Sequence, residues 1–513
     1  MKTTLIVTEK PDAAEHVADA LQVKGKPTKR SVKGVPFFEI KGEDHRIIVC
    51  SALGHLYQVE EKSPTRRSFY PVWDFTWKPK HEVERGQGRQ EKWIEAISEV
   101  AQEADEFLCA CDFDIEGSLI GYMILKYACA GADQKAKRMK FSTLTPKDLQ
   151  ESYRNPLPTL DFPIAYSGMC RHEVDWLYGV NLSRALTQAA YKASQRYATL
   201  STGRVQGPTL RYVVERERDI STFVPTPYWT IEATVDVDGH KVPALYERER
   251  LERKAEAERI VASTLGKTGR VENLESKKIR LRPPVPFDLS SLQSESYRHF
   301  GLTPRGTLGI AERLYLDALI SYPRTSSQKL PPTIGYDEIL RGLSEWPQYE
   351  RSAKYLLERG RFRPNEGKKD DPAHPAIYPT GKTIGRSLEP RERKIYDLIV
   401  KRFMATFGDA ALKQSDRAVV SVADHRFFLR GSRILENGWI PLYEPYAKFE
   451  EVILPPLSIG QDANFIRVRS EEKFQQPPPR YNPSSLLKQM EEVGIGTKAT
   501  RAEIVETLYR RGY

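Results

Sequence analysis

Three acids at alternate positions stand in Asp112-Phe113-Asp114-Ile115-Glu116-Gly117, directly after the apolar run 107–111. A buried strand that ends in acids as a helix begins delivers its carboxylates to the crevice where α/β sheets hold ligands. Hard oxygen donors of this kind suit Mg²⁺, which takes one or two carboxylates and keeps water for substrate phosphates. The plainer alternative is that Asp114 caps the helix and the other acids are solvated. Glu9 has the same placement, since it follows the run 5–8 and Pro11 opens the next helix. If those two strands are neighbours, four carboxylates converge, and their repulsion requires a metal or raised pKa values. A carboxyl with a raised pKa can serve as general acid.

Far along the chain, Leu319-Ile320-Ser321-Tyr322-Pro323-Arg324-Thr325-Ser326 sets a tyrosine at the close of a short β-run, held extended by the following proline. A free phenol has a pKa of about 10, so only ~0.1% is ionised near pH 7 and attack on phosphorus needs a nearby cation or base. Arg324 supplies a cation and a bidentate clamp for phosphate. By itself the triplet is weak, because such triplets arise by chance, and a structural tyrosine is the better reading of it. His374, between prolines in Asp371-Pro372-Ala373-His374-Pro375-Ala376-Ile377, and His55, after Leu53-Gly54, are single histidines that suit packing as readily as catalysis.

Elements must hold these residues in place. Up to residue 155, short β-runs (5–8, 37–40, 46–50, 106–111) alternate with helical stretches (13–21, 90–101, 118–127), the pattern of an α/β fold with a parallel sheet. Residues 165–218 have helical spacing. Strand-like periodicity covers 228–237 and 269–281, then returns at 418–429 and 465–468, with a mainly helical stretch between about 285 and 410. The spacing predicts one β-domain interrupted by a helical insertion, bounded by Pro283-Pro284-Val285-Pro286 and Phe407-Gly408, and ended by Pro477-Pro478-Pro479. A multi-lobed molecule, open to an annular arrangement, follows. Two stretches also match: Ser290-Ser291-Leu292 through Gly301 to Leu314-Tyr315, and Ser484-Ser485-Leu486 through Gly494 to Leu508-Tyr509, with 22 residues from Leu to Leu in each. Both read as helix, glycine turn, helix, a unit used for structure and for DNA reading alike. In the first, Gly301 suits a helix C′ position, Thr303 an N-cap and Pro304 the first helical turn. The charge-dense segment 247–265 reads as a solvated helix face held by opposite charges one turn apart.

The 513 residues carry 79 Lys+Arg against 69 Asp+Glu, a net charge of +10, with 40% hydrophobic and 29% charged residues. That composition builds globular cores, about three or four domains at roughly 150 residues each, and excludes disordered, collagen-like and mini-protein folds. No apolar run approaches the ~20 residues of a membrane helix. With no signal-peptide pattern at the first residues, and five cysteines lacking any C-x-x-C pair, a cytoplasmic protein with reduced thiols is expected. The basic excess permits a polyanion partner without requiring one.

Taken in order, Glu9 in Val7-Thr8-Glu9-Lys10-Pro11, the Asp112/Asp114/Glu116 cluster, Gly203-Arg204-Val205-Gln206, Ile320-Ser321-Tyr322-Pro323-Arg324-Thr325 and His374-Pro375-Ala376-Ile377 closely resemble the motifs of the type IA DNA topoisomerases, nearest to the archaeal and topoisomerase III-like branch. The resemblance covers essentially the whole chain. It implies a multi-domain α/β plus α plus β fold arranged as a toroid around a hole wide enough for duplex DNA. Its parts would be a Toprim (Rossmann-like) domain at 1–158, a helical DNA-binding domain from 159–222 and 477–513 with helix-turn-helix (CAP-like) units, a β-rich arch from 223–282 and 411–476, and a helical domain at 283–410 carrying the tyrosine.

The same resemblance implies Mg²⁺ held by Glu9, Asp112, Asp114 and Glu116, with Glu9 also as general acid. Tyr322 becomes the nucleophile that forms a 5′-phosphotyrosine, Arg324 the stabiliser of the phosphate, and His374 its neighbour. His55, Arg171, Arg204, Gln206, Lys498 and Thr500 become DNA contacts. The implied activity is relaxation of negatively supercoiled DNA or decatenation without ATP, in keeping with the absence of a G-x-x-x-x-G-K-S/T loop from the sequence. Single-stranded DNA and supercoiled or catenated duplex are the implied partners of a monomer, with RNA, helicases and single-strand-binding proteins as further candidates and no membrane. The alternatives are a Toprim-type metal-dependent nuclease or primase-like phosphotransferase with Tyr322 structural, or a non-catalytic single-strand-binding module. Ser326 stands where many relatives have aspartate, Leu316 where many have glutamate, and His172 where bacterial relatives often carry a second arginine. The chain stops at Arg511-Gly512-Tyr513 without a cysteine-rich tail, as expected of a catalytic core cut from a longer protein.

Overall fold

A computed structural model describes every residue except 1, 43–44, 67, 85, 87 and 384–385. The apolar strand Lys2–Thr8 is buried on both faces from Thr3 onward, as the centre of a parallel sheet must be. It pairs in parallel with His45–Ser51 on one side and Glu106–Cys109 on the other, so Val7 lies between Cys50 and Cys109. The six-stranded sheet runs Thr28–Val32, Val35–Lys41, His45–Ser51, Lys2–Thr8, Glu106–Cys109, Lys137–Arg138, and it is mixed, not wholly parallel as expected: the first three strands pair antiparallel and the rest parallel. Two neighbouring parallel strands therefore end together, and Glu9 and Asp112 both leave the sheet at that end.

One face of this sheet, through Ile6, Val49 and Leu108, belongs to a core that runs without a break to Leu319, Ile320 and Tyr322. The other face, through Leu5, Val7 and Ile48, packs on Trp93, Leu119 and Ile120. The tyrosine's lobe is thus seated on the acidic end of the sheet by ordinary apolar burial. The expected β-run at Tyr322 is instead an extended segment with one bridge, Ile320 to Pro379. Tyr322 N–H donates to the Ser142 carbonyl at 2.8 Å, and Pro323 has no N–H with which to continue a ladder.

Six antiparallel strands, Pro227–Val237, His240–Tyr246, Thr268–Leu281, Ala411–Val422, His425–Glu436 and Asp462–Phe474, close into a barrel. Closure removes the open sheet edges, and Val235, Phe427 and Phe465 fill the interior. The charged segment 247–265 departs from the sequence expectation. Its helix spans only Lys254–Thr264, with Ala257 and Ile260 buried in the barrel core, while Leu251 bridges to Trp229. Three apolar side chains thus outweigh the charge pattern.

The matched stretches form two helix pairs, Leu289–Phe300 with Pro304–Leu316 and Pro483–Glu492 with Arg501–Arg510. Gly301 turns at φ 66° and Gly494 at φ 71°, backbone conformations that glycine adopts without cost. Thr303 caps its helix by accepting the Gly306 N–H at 3.1 Å, and Pro304 opens it. The pairs lean on each other through Arg305 to Glu503 at 3.1 Å and Ser484 to Ser294 at 3.3 Å. A 33-residue helix, Phe162–Ser194, precedes the helix Gln206–Ser221. Among the described residues no helix is long and apolar enough to cross a membrane.

Candidate active site

The loop after Glu106–Cys109 is held from beneath by Arg138, which is 1% exposed. Its guanidinium donates to the carbonyls of Cys109, Cys111, Met139 and Asp112 at 2.7–3.2 Å, so four backbone oxygens are fixed by one side chain. The helix Ile115–Met123 then starts so close to that loop that a Cβ on Gly117 would lie 2.2 Å from the Asp112 carbonyl oxygen. Only glycine permits the approach. Asp114 does cap this helix, its Oδ1 accepting the Gly117 N–H at 2.8 Å, and its second oxygen remains free for other work.

Glu9, Asp112 and Asp114 are all buried at this end of the sheet. Burial and then the Asp112 charge push the Glu9 carboxyl up to about 8, against the opposing pull of Lys10. Burial raises Asp112 as well. Lys10 Nζ stands 3.4 Å from Glu9 Oε1 and 3.5 Å from Asp112 Oδ2, an ammonium set between two carboxylates. The fourth expected acid does not join them. Glu116 lies one residue into the helix and turns away to Arg171, His55 and His172. The three-acid reading therefore divides: Asp112 and Asp114 serve one cluster, Glu116 another.

Tyr322 reaches the first cluster. Its hydroxyl donates to Asp114 Oδ2 at 2.6 Å. Burial, followed by the Asp114 charge, holds its pKa well above that of a free phenol, and Arg324 opposes this only in part. Tyr315 donates to Asp112 Oδ1 at 3.2 Å, with its ring 5.2 Å from that of Tyr322. The His374 ring packs 4.6 Å from the Tyr322 ring on another side. Its Nε2 meets the Phe113 carbonyl at 3.1 Å and its Nδ1 meets Ser142 Oγ at 3.1 Å, partners that assign the proton to Nε2. Burial lowers His374 to about 4, so it is neutral at neutral pH. Arg324 stands 3.9 Å from Asp114 Oδ2 and pairs with Glu312, while its buried Nε has no hydrogen-bond partner among the described residues.

The second cluster gathers on Glu116 in the first turn of the helix Ile115–Met123. His55 Nε2 at 2.8 Å and His172 Nε2 at 3.2 Å face the same Glu116 oxygen, and Arg171 pairs with the other. Burial would raise Glu116, yet its two histidine hydrogen bonds and the Arg171 charge hold it well below the usual carboxylate range. Among the described residues this is the one group of three acids, histidines or cysteines whose ligand atoms all lie within 4.8 Å. The Arg171 guanidinium beside it disfavours a cation there. Arg171 Nε and Nη1 are themselves buried without hydrogen-bond partners among the described residues, with Asp175 Oδ2 4.0 Å from Nε.

The remaining expected DNA contacts are dispersed. Arg204 Nε donates to Asp175 Oδ1 at 2.7 Å, and Gln206 is buried at the start of its helix. Lys498 pairs with Asp371, which also accepts the Ser326 N–H at 3.0 Å and Ser326 Oγ at 2.9 Å. Ser326 thus ties the tyrosine segment to the loop of His374. Thr500 Oγ1 accepts the Thr497 N–H at 3.0 Å. Sequence reasoning gave no role to Lys10, although it adjoins Glu9, nor to Glu312 and Tyr315, which share one face of the helix leading into the tyrosine segment. Arg138, on the two-residue strand Lys137–Arg138, left no signal.

Parallel strands ending in carboxylates, met by a tyrosine and an arginine from another lobe, define the class of Toprim enzymes that act on DNA topology. A family profile described as the Toprim domain matches residues 4–144, and one described as DNA topoisomerase matches residues 159–513. The chain belongs to the type IA DNA topoisomerases. It is 48% identical over 512 residues to DNA topoisomerase 1 of Pyrococcus horikoshii, covering 99% of this chain and 74% of that one. Against DNA topoisomerase 1 of Methanocaldococcus jannaschii the identity is 42% over 513 residues, covering 100% of this chain and 66% of the relative. The solved structure of full-length topoisomerase I from Thermotoga maritima superposes with a TM-score of 0.73 at 25% identity, covering 99% of this chain and 78% of that one. The toroidal fold class goes with that likeness.

Proposed function

We propose that this chain cleaves single-stranded DNA transiently through a 5′-phosphotyrosine at Tyr322, passes a strand through the break and reseals it, with Mg²⁺ and without ATP. The observation that carries the reading is the Tyr322 hydroxyl hydrogen-bonded to Asp114 inside the acidic cluster. A buried structural tyrosine such as Tyr315 also finds an acceptor; what sets Tyr322 apart is a proton acceptor, Asp114, and a cation, Arg324, at the same oxygen, as a nucleophile attacking phosphate needs. The Tyr322 oxygen attacks phosphorus and gives its proton to Asp114. The new P–O bond forms as the bond to the 3′ oxygen breaks, and Glu9, protonated at neutral pH, supplies the proton to that leaving oxygen. Arg324 offers its unpartnered Nε to the phosphate, and neutral His374 packs the attacking ring in place. Religation reverses these transfers, and the retained phosphodiester energy makes ATP unnecessary.

The oxygen-only donor set of Asp112 and Asp114, with Glu9 beside them, fits Mg²⁺, and Lys10 already brings positive charge to that position. Bound there, Mg²⁺ would supply positive charge to the phosphate being transferred. Arg171, whose Nη1 has no hydrogen-bond partner among the described residues, and His55 form the base or phosphate grip ahead of the cleavage point. Arg204, Gln206, Lys498 and Thr500 extend it along the strand, which should bind more weakly as salt rises. The four-domain division given above and action on DNA in the cytoplasm belong to the same reading. A labelled single strand incubated with protein and Mg²⁺, then run on a denaturing gel, tests it. Protein attached to a 5′ end is expected, and its loss in Tyr322→Phe with binding retained. Free ends would indicate a nuclease, and intact DNA a binding module.

A further inference from the structure

Two carboxylates face the outer nitrogens of Arg324, and they come from different parts of the molecule. Nη1 stands 3.9 Å from Asp114 Oδ2, the Toprim oxygen that accepts the Tyr322 hydroxyl. Nη2 pairs with Glu312 Oε1, which is buried and accepts no hydrogen bond among the described residues. Glu312 lies in the helix Pro304–Leu316, twelve positions before Arg324 and in the same lobe.

The path between the two is short and pinned. Ala318 turns at φ 57°, its N–H donating to the Tyr315 carbonyl at 2.8 Å, and the Leu319 N–H donates to the Leu314 carbonyl at 2.9 Å. Leu314, Leu319 and Ile320 are buried in the common core. One turn beyond Glu312, Tyr315 donates to Asp112 Oδ1 at 3.2 Å, and His16 of the Toprim domain meets the Leu316 carbonyl at 2.6 Å. The helix that carries Glu312 is thus docked in register with the acidic cluster. A guanidinium has five N–H donors in a fixed plane, so a carboxylate at one terminal nitrogen sets its reach and leaves the others for phosphate. Stripping the cation from a buried carboxylate leaves an uncompensated charge, so an incoming phosphate takes the opposite side of the guanidinium instead of displacing Glu312.

The geometry points to Glu312 as a positioning residue for Arg324: it anchors Nη2 and turns Nη1 toward a phosphate at the Tyr322 oxygen. Glu312 keeps this hold when the lobe leaves Asp114, because both partners belong to the lobe. The inference rests on the reading of Tyr322 as nucleophile. Adduct formation on a 3′-labelled single strand with Mg²⁺, followed over hours at a series of protein concentrations, gives a maximal rate and a half-saturating concentration. Glu312→Gln, of equal size but uncharged, is expected to lower the maximal rate about tenfold and to leave half-saturation within about twofold. Glu312→Asp, which keeps the charge on a shorter arm, should fall between Gln and wild type. Added to Arg324→Ala, Glu312→Gln should cost nothing further, since the two act as one unit. A purely structural loss would instead recur in the Arg324→Ala background and overturn the inference. So would a faster Glu312→Gln, which marks a competitor for Arg324, or a change confined to half-saturation. Wild-type rates in Glu312→Gln with no adduct from Tyr322→Phe would reject this inference alone, whereas adduct from Tyr322→Phe would remove the reading beneath it.

Discussion

The Tyr322 hydroxyl and Asp114 Oδ2, 208 positions apart in sequence, lie 2.6 Å apart in the fold. The bond joins the Toprim sheet to the lobe seated on it, and it does two opposed things. On the proposed mechanism it brings the attacking oxygen to a proton acceptor, and it holds that oxygen protonated. A phosphate drawn to Arg324 changes the balance by presenting an electrophile to the same oxygen.

Asp114→Asn keeps the size of the side chain and the helix cap but removes the proton acceptor. Cleavage, read as covalent adduct on a denaturing gel, is expected to fall about 10²-fold or more, the usual worth of acid–base assistance. Single-strand binding at low salt should remain within a few-fold of wild type. Wild-type cleavage by this variant would remove Asp114 from the mechanism.

Lys10 sits where a divalent cation would share Glu9 and Asp112. Lys10→Met removes that competitor, so Mg²⁺ affinity measured calorimetrically should tighten about tenfold, corresponding to about 1.4 kcal/mol of relieved repulsion. Unchanged or weaker Mg²⁺ binding would show that the ammonium supports the ion instead of excluding it.

Gly117→Ala drives a methyl to within 2.2 Å of the Asp112 carbonyl. The loop carrying Asp112 or the helix carrying Glu116 has to shift, at about 2–3 kcal/mol for overpacking a buried contact. Urea denaturation should show that loss, and adduct formation should drop with it. A variant with both stability and cleavage intact would contradict the described loop.

His374 titrates at about 4 in the fold against 6.5 ordinarily, because burial disfavours its charged form. The native state thus favours the neutral ring, and its contribution to stability is complete above pH 6.5 and declines as pH falls toward 4. The loss amounts to about 3 kcal/mol. Urea midpoints of wild type and His374→Gln, measured without Mg²⁺, should converge across that interval. Parallel pH profiles for the two proteins would exclude a neutral, buried His374.

The ordered motifs alone identify the family, because each is a short run whose residue types carry their chemistry wherever the chain places them. The parallel strands around Val7, the turn at Gly301 and its Thr303-Pro304 helix start were equally legible, since apolar periodicity and turn chemistry act over neighbouring residues. The fate of Glu116 was not. Alternating acids look equivalent in a line of letters, but the chain changes from strand to helix at Asp114, and the next acid rotates into a different cluster. Nor could spacing show that Lys10 lies between two carboxylates or that Arg138 holds four carbonyls. Those are contacts between residues distant in sequence, fixed only when the sheet, the lobe upon it and their common core pack together.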